Sequence, residues 1–238
     1  MTLSIIIPVF NESSVLARTL DHLRSLGPHG QVIVVDGGST DETVRIAEQY
    51  GHVLIVSARG RGVQLHQGAR RADGDVLLFL HADTLLPKGY HHDICLAMRD
   101  PCVVFGAFSL KIDPCTAFLS LVAGMANLRS RLLKLPYGDQ AIFVRRSAYR
   151  RAGGFRPWPV MEDVDLVRRL SRQGRFRLIS TPVRTSARRW EAEGAVFSTI
   201  RNWSVMVRFF LGVPPAALSR RYPDIRKRRS GADTSAQG

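Results

Sequence analysis

Three apolar runs in this chain end abruptly on polar groups, and that pattern narrows the folds open to it. Ile5-Ile6-Ile7-Pro8-Val9-Phe10 stops at Asn11-Glu12. Val32-Ile33-Val34-Val35 stops at Asp36-Gly37-Gly38-Ser39-Thr40-Asp41, and Leu77-Leu78-Phe79-Leu80 at His81-Ala82-Asp83-Thr84. Short unbroken runs rich in β-branched and aromatic residues fit strands buried on both faces, the usual state of parallel sheets. In open α/β sheets the ligand crevice lies beyond the carboxyl ends of the strands. Polar residues at three such ends therefore predict one shared site.

Between the runs the spacing turns helical. Leu16, Leu20 and Leu23 fall at i, i+4 and i+7 after Asn11-Glu12-Ser13-Ser14 and before Gly27-Pro28. Thr40-Asp41-Glu42-Thr43 opens a second helix reaching Tyr50. A short strand, Val53–Ser57, leads through Arg59-Gly60-Arg61-Gly62 into a helix from Val63 to Ala72. This alternation predicts a doubly wound, mostly parallel α/β sheet with right-handed crossovers and helices on both faces. Beyond it the pattern predicts a strand at Val103–Ile112, a helix at Thr116–Leu133 and a strand at Gln140–Arg145. Helices at Ser147–Ala152 and Glu162–Gln173 follow. Residues 1–190 read as one α/β domain, 191–229 as an amphipathic basic helical extension, and 230–238 as a disordered tail.

In that extension Val196, Ile200, Trp203, Val207 and Phe210 recur at helical spacing, with Arg201 and Arg208 elsewhere on the wheel. One reading packs this face on the domain or on a second copy as a homodimer. The other lays it on anionic lipid, with Arg220, Arg221, Arg226, Lys227, Arg228 and Arg229 beside the headgroups.

A formal charge of +14, carried almost wholly by Arg, points to an anionic partner: nucleotide, nucleic acid or acidic membrane surface. The three cysteines, Cys95, Cys102 and Cys115, have no metal-ligand spacing and fit structural thiols in a reducing compartment. No export signal and no membrane-spanning apolar stretch is visible, so a cytoplasmic protein is expected, with peripheral contact at the inner membrane face as the variant the basic tail suggests.

Each polar strand end has a structural and a chemical reading. Asp36 before Gly-Gly suits a ribose or base N–H, or else an Asx-turn. Asp83 offers a hard oxygen to Mg²⁺ or Mn²⁺, with His81 two residues earlier on the same side; either is otherwise a cap. Glu162-Asp163 opens a helix, where carboxylates are favoured anyway, but one of the pair can serve as a general base. Pro157-Trp158-Pro159 before it suits an acceptor-side loop. Arg59 and Arg61 suit a diphosphate or simply a solvated face. His66 and Gln67 read as supporting residues.

Together, Pro8-Val9-Phe10-Asn11-Glu12, Asp36-Gly37-Gly38-Ser39-Thr40-Asp41, His81-Ala82-Asp83 and Glu162-Asp163 resemble, in order, the motifs of family-2 glycosyltransferases with a GT-A fold. The resemblance runs from residue 3 to about 190. It implies a UDP- or GDP-linked sugar donor, a divalent metal (Mn or Mg) on its diphosphate, and inverting transfer to a hydroxyl of a small molecule or lipid. It implies that Pro8, Phe10 and Glu12 line the nucleoside pocket, Asp36 holds the base and Asp83 the metal. Asp163 would be the base with Glu162 beside it; Arg61 is expected at the donor diphosphate, and His81 at the donor, either as a ligand to Mn²⁺ or as a hydrogen-bond partner of a phosphate. The family's metal motif usually begins with an acid where this chain has His81.

Thr185-Ser186-Ala187-Arg188-Arg189-Trp190, with Thr199-Ile200-Arg201-Asn202-Trp203 and Leu211-Gly212-Val213, resembles a bacterial subgroup linked to arsenosugar biosynthesis; related sequences are also tied to carotenoid-ester glycosylation. Arg188 and Arg189 are expected on phosphate. Arg189-Trp190 matches the end of the QxxRW motif of processive enzymes, but Ala187 stands in the Gln position, so processive synthesis is not expected. The rivals are nucleotidyl transfer, which lacks a Gly-rich phosphate loop after the first run, and a catalytically silent binder of nucleotide sugar or polyanion. Specific nucleic-acid binding is not expected, since charge alone speaks for it.

Overall fold

The computed structural model describes residues 1–27, 30–50 and 52–220. The expected disordered tail and the basic cluster after Arg220 lie outside the described residues, as does Pro28. The chain runs β1 (Leu3–Val9), α1 (Ser13–Ser25), β2 (Gln31–Asp36), α2 (Thr43–Gln49), β3 (Val53–Val56), α3 (Arg61–Arg71) and β4 (Val76–Phe79). There follow β5 (Thr84–Leu85), α4 (Tyr90–Ala97), β6 (Val103–Asp113), α5 (Ala117–Leu133), a 3-10 turn (Gly138–Gln140), β7 (Phe143–Arg145), α6 (Arg146–Arg151) and α7 (Glu162–Leu170). The chain continues through β8 (Arg175–Ser186), α8 (Arg188–Glu193), α9 (Ala195–Phe210) and α10 (Pro215–Ser219).

The strands form one sheet in the order β3-β2-β1-β4-β7-β6-β8-β5. β1 pairs in parallel with both β2 and β4, because the chain winds outward to β3 and then returns to the other side of β1. That reversal is a topological switch point, the place where a crevice opens between diverging strand ends. Past β4 the expected parallel order gives way: β7 runs antiparallel to both β4 and β6, while β6 and β8 are parallel. The apolar runs fill both faces. Ile5, Ile7, Val34 and Leu78 join one core cluster, whereas Ile6, Ile33, Val35 and Leu77 join the other with Val164, Leu166 and Val167 of α7.

Beyond the parallel half the structure departs from the sequence reading, which left β5, α4 and β8 unassigned. β8, twelve residues long, was not anticipated, because its exposed Arg175, Arg177 and Arg184 break up the apolar signal between Leu178, Ile179 and Val183. It nonetheless pairs with β6 along most of its length. The expected strand at Gln140–Arg145 shrinks to β7, because Ala141 takes φ 48° and ends any extended run there. Gln140 instead turns inward, donating to Phe108 O at 3.2 Å and accepting from Ser130 Oγ at 2.7 Å. The apolar face of α9 does not pack on the domain: Ser198, Arg201, Val205 and Phe209 face inward instead.

Gln64 was also passed over, although it sits beside Leu65, Gly68 and Ala69 on the buried stripe of α3. Its Nε2 donates to Val9 O at 2.7 Å and Val35 O at 2.8 Å, fastening the ends of β1 and β2 side by side. Gln64→Leu keeps the volume and removes both donors. It is expected to lower unfolding free energy in urea by about 1–2 kcal/mol, with little change in the slope of the transition.

Candidate active site

The β2 end is held by its own carboxylate. Asp36 is buried, and its oxygens accept from Gly38 N at 2.8 Å, Ser39 N at 3.0 Å and Ser39 Oγ at 2.5 Å. Asn11, at φ 51°, reaches across to the same turn: its N–H donates to Ser39 Oγ and its Oδ1 accepts from Thr40 N. The Asx-turn reading of Asp36 is therefore present in the ligand-free fold. Beside it Phe10 lies half-buried with the Arg59 guanidinium 4.0 Å above its ring, a cation–π contact at the crevice mouth. Pro8 is partly buried one pair before the β1 end, opposite Val35.

Glu12 and Asp83 meet through one cation. Arg188, at the start of α8, donates from Nη1 to Glu12 Oε2 at 2.5 Å and from Nε to Asp83 Oδ2 at 2.8 Å. Burial pushes the guanidinium pKa down, but the two carboxylates outweigh it and hold the group more firmly charged than usual. Arg189, its neighbour, acts instead on Glu193, whose carboxyl is kept below its ordinary range against a burial penalty by Arg201, Ser198 and the Arg189 charge. Both arginines are expected on phosphate from the sequence, and Arg188 joins the strand-end carboxylates.

The start of α7 supplies the second group of acids. Met161 precedes it in a left-handed conformation, φ 64°, which turns both Glu162 and Asp163 inward. Arg61 donates from Nε to Glu162 Oε1, and its Nη2 lies 3.6 Å from Asp163 Oδ2. Desolvation pushes the Glu162 carboxyl pKa up, with Arg61 opposing, so this residue is a buried anchor for Arg61. Asp163 is oriented by two backbone donors, Gly138 N to Oδ2 and Val164 N to Oδ1, both at 2.8 Å. A Cβ on Gly138 would stand 2.8 Å from His81 Nε2 and 3.2 Å from Asp163 Oδ2, so the missing side chain is what lets these groups close around one point. His66 bonds the Tyr149 hydroxyl at 3.1 Å, the supporting part expected of it.

Asp139 is the residue that sequence reasoning missed. Its Oδ1 is shielded from solvent and has no hydrogen-bond partner. Desolvation, reinforced by the like charges of Asp163 and Asp83 and opposed by Arg129 and Arg61, raises its pKa to about 6. The only signal was a lone acid between Gly138 and Gln140, away from any strand end. An orphaned carboxylate oxygen near Asp83 fits the hard-oxygen demand of Mg²⁺ or Mn²⁺, which take one or two carboxylates and fill the remainder with substrate phosphate. Among the described residues no trio of His, Cys, Asp and Glu is set to hold a metal alone. The donor set therefore suits a cation arriving with a phosphate ligand.

The mixed sheet, with acids and arginines lining the crevice at its switch point, matches the GT-A fold of solved glycosyltransferases. The profile of Glycosyl transferase family 2 matches residues 4–154, and the chain belongs to that family. It is 40% identical over 169 residues to the PGL/p-HBAD biosynthesis glycosyltransferase of Mycobacterium bovis, covering 64% of this chain and 62% of that relative. The chain thus spans under two thirds of that relative's length. Among solved structures, S. aureus TarS in complex with UDP-GlcNAc superposes with a TM-score of 0.64 at 19% identity, over 78% of this chain and 58% of that one. Mannosyltransferase PcManGT from Pyrobaculum calidifontis, in complex with GDP-Man and Mn2+, gives 0.62 at 21% identity, over 77% and 56%.

The raised pKa of Asp139 has a sign that can be checked. The folded state binds this proton more tightly than the unfolded chain, so its effect is neutral below about pH 4. It destabilises increasingly up to about pH 6, by an order of 2–3 kcal/mol. Asp139→Asn is therefore expected to raise the melting temperature of the ligand-free protein above pH 6 and to leave it unchanged below pH 4. Gly138→Ala is expected to displace His81 or Asp163, and to cost more in nucleotide-linked stabilisation than in the melting temperature of the free protein.

Proposed function

We propose that the chain is an inverting glycosyltransferase moving a sugar from a UDP- or GDP-linked donor to a hydroxyl, with a divalent metal bound together with the donor. The observation that carries this reading is the gathering of Asp163, His81 and Gly138 around one point, with Asp139 electrostatically coupled to both Asp163 and Asp83. The bound nucleotides in TarS and PcManGT support the donor class, and the Mn2+ in PcManGT supports the metal.

The nucleoside lies along Pro8, Phe10 and Asp36, with the Asp36 carboxylate exchanging part of its turn bonding for the base. Arg188 and Arg61, both held against carboxylates in the free fold, present charge-assisted donors to the diphosphate. Asp83 and Asp139 would hold the metal, which when bound supplies positive charge to the leaving diphosphate. Asp163, its two oxygens fixed by backbone N–H groups, takes the proton of the acceptor hydroxyl as that oxygen attacks C1 from the face opposite the diphosphate. The C1–O bond to the diphosphate breaks as the new bond forms, so the anomeric configuration inverts. The acceptor is a small-metabolite or lipid-linked alcohol. An arsenosugar-type acceptor rests only on the resemblance of the segments 185–190, 199–203 and 211–213.

Thermal stabilisation by UDP, GDP, ADP and CDP, each with Mn²⁺, Mg²⁺ or EDTA, tests the reading. One nucleotide is expected to stabilise only with metal, metal alone is expected to do nothing, and the effect should vanish in Asp36→Ala and Asp83→Ala. No response to any nucleotide would sink the donor assignment. Once an acceptor is found, Asp163→Asn is expected to retain the nucleotide shift while losing turnover by about 10²–10⁴-fold.

A further inference from the structure

The helix α9 buries Val205 and Phe209 in the core beside polar groups, and shows its broader apolar stripe outward. Its inward side carries Arg201, 9% exposed and clasped by Glu193 through two bonds of 2.7 and 2.6 Å, with Ser198 on the same carboxylate at 2.8 Å. Its outward side carries Val196, Ile200, Trp203, Val207 and Phe210, from 48% to 64% exposed. This polar clasp and the buried Val205 and Phe209 together fix the orientation that leaves the apolar stripe largely exposed. The stripe continues onto α5, which touches α9 and exposes Leu121, Leu128 and Leu132. Where the two helices and α7 converge lies a groove of about 490 Å³, lined by Leu133, Met206 and Phe210 together with Lys134, Arg168 and Arg172. Arg168 stacks over the Phe210 ring at 5.4 Å.

The charge around this surface has one sign. No Asp or Glu occurs from Thr116 to Gly138, or from Ala195 to Arg220, while Arg131, Lys134 and Arg208 fall within those stretches. Face-to-face docking of two copies would bring these cations together with no carboxylate to answer them. A layer of anionic headgroups over acyl chains answers both the cations and the stripe. α9 has 16 residues, and no described helix is long and apolar enough to cross a membrane, so it lies in the surface rather than through it. Trp203 at mid-stripe suits the boundary between headgroups and chains.

We propose that this face seats the protein on an anionic lipid bilayer, with α9 in the plane of the headgroups. The proposal does not depend on the donor chemistry, and the two fail separately. Sedimentation with vesicles of phosphatidylcholine, alone or mixed with phosphatidylglycerol, tests it. Binding is expected only with phosphatidylglycerol, to weaken as salt rises, and to blue-shift tryptophan emission in a way lost in Trp203→Phe. The exposed double variant Ile200→Glu, Val207→Glu should bind at least about tenfold more weakly and keep its melting temperature and nucleotide response. Absence of vesicle binding by the unaltered protein would overturn the proposal. So would a dimer in solution that this double variant converts to monomer.

Discussion

Carboxylates gathered at strand ends and largely withdrawn from water are costly unless cations stand against them, and the crevice depends on two that do. Arg188 answers Glu12 and Asp83, and Arg61 answers Glu162 and flanks Asp163. A buried charge left without its partner costs several kcal/mol. α3 and α8 each deliver a guanidinium to the crevice, and these two cations are what the four acids gather around. Both cations have the geometry to grip phosphate as well, so what stabilises the free site is also what a donor would draw upon.

The backbone around the crevice is strained in a consistent way. Four described non-glycine residues have positive φ, and three of them, Asn11, Ala141 and Met161, border the site. Each turns the chain sharply where a strand or turn hands over to the next element. Such conformations persist only where surrounding bonds over-determine them, as the Ser39 and Thr40 contacts do for Asn11. The result is a preorganised set of donors and acids rather than one assembled from mobile side chains.

The parallel half of the sheet could be read from sequence because its strands are buried on both faces and show as continuous apolar runs. Asp36, His81 and Asp83 stood out because each ends such a run. β8 escaped because one of its faces meets water and its arginines interrupt the pattern. Asp139 escaped because it lies on a turn between β6 and β7, brought to the site by long-range packing that no local pattern encodes. Gln64 could have been found as the polar member of a buried helical stripe. The orientation of α9 depended on the pairing of Arg201 with Glu193 beside the buried Val205 and Phe209, which puts a mixed side of the wheel inward. Periodicity reports that two faces differ, and not which of them the rest of the chain will cover.

The position of Arg188 has a consequence for where this protein can be cut. The family match closes at residue 154, yet the cation that pairs with Glu12 and Asp83 comes thirty-odd residues later, at the start of α8, just past a strand woven into the sheet beside β6. A fragment stopping at the end of the match would keep the acids of β1 and β4 and forfeit their counter-ion, along with the β6 edge that β8 covers. The smallest autonomous unit is therefore longer than the shared family core. Its boundary is set by electrostatic closure of the crevice rather than by the last recognisable motif.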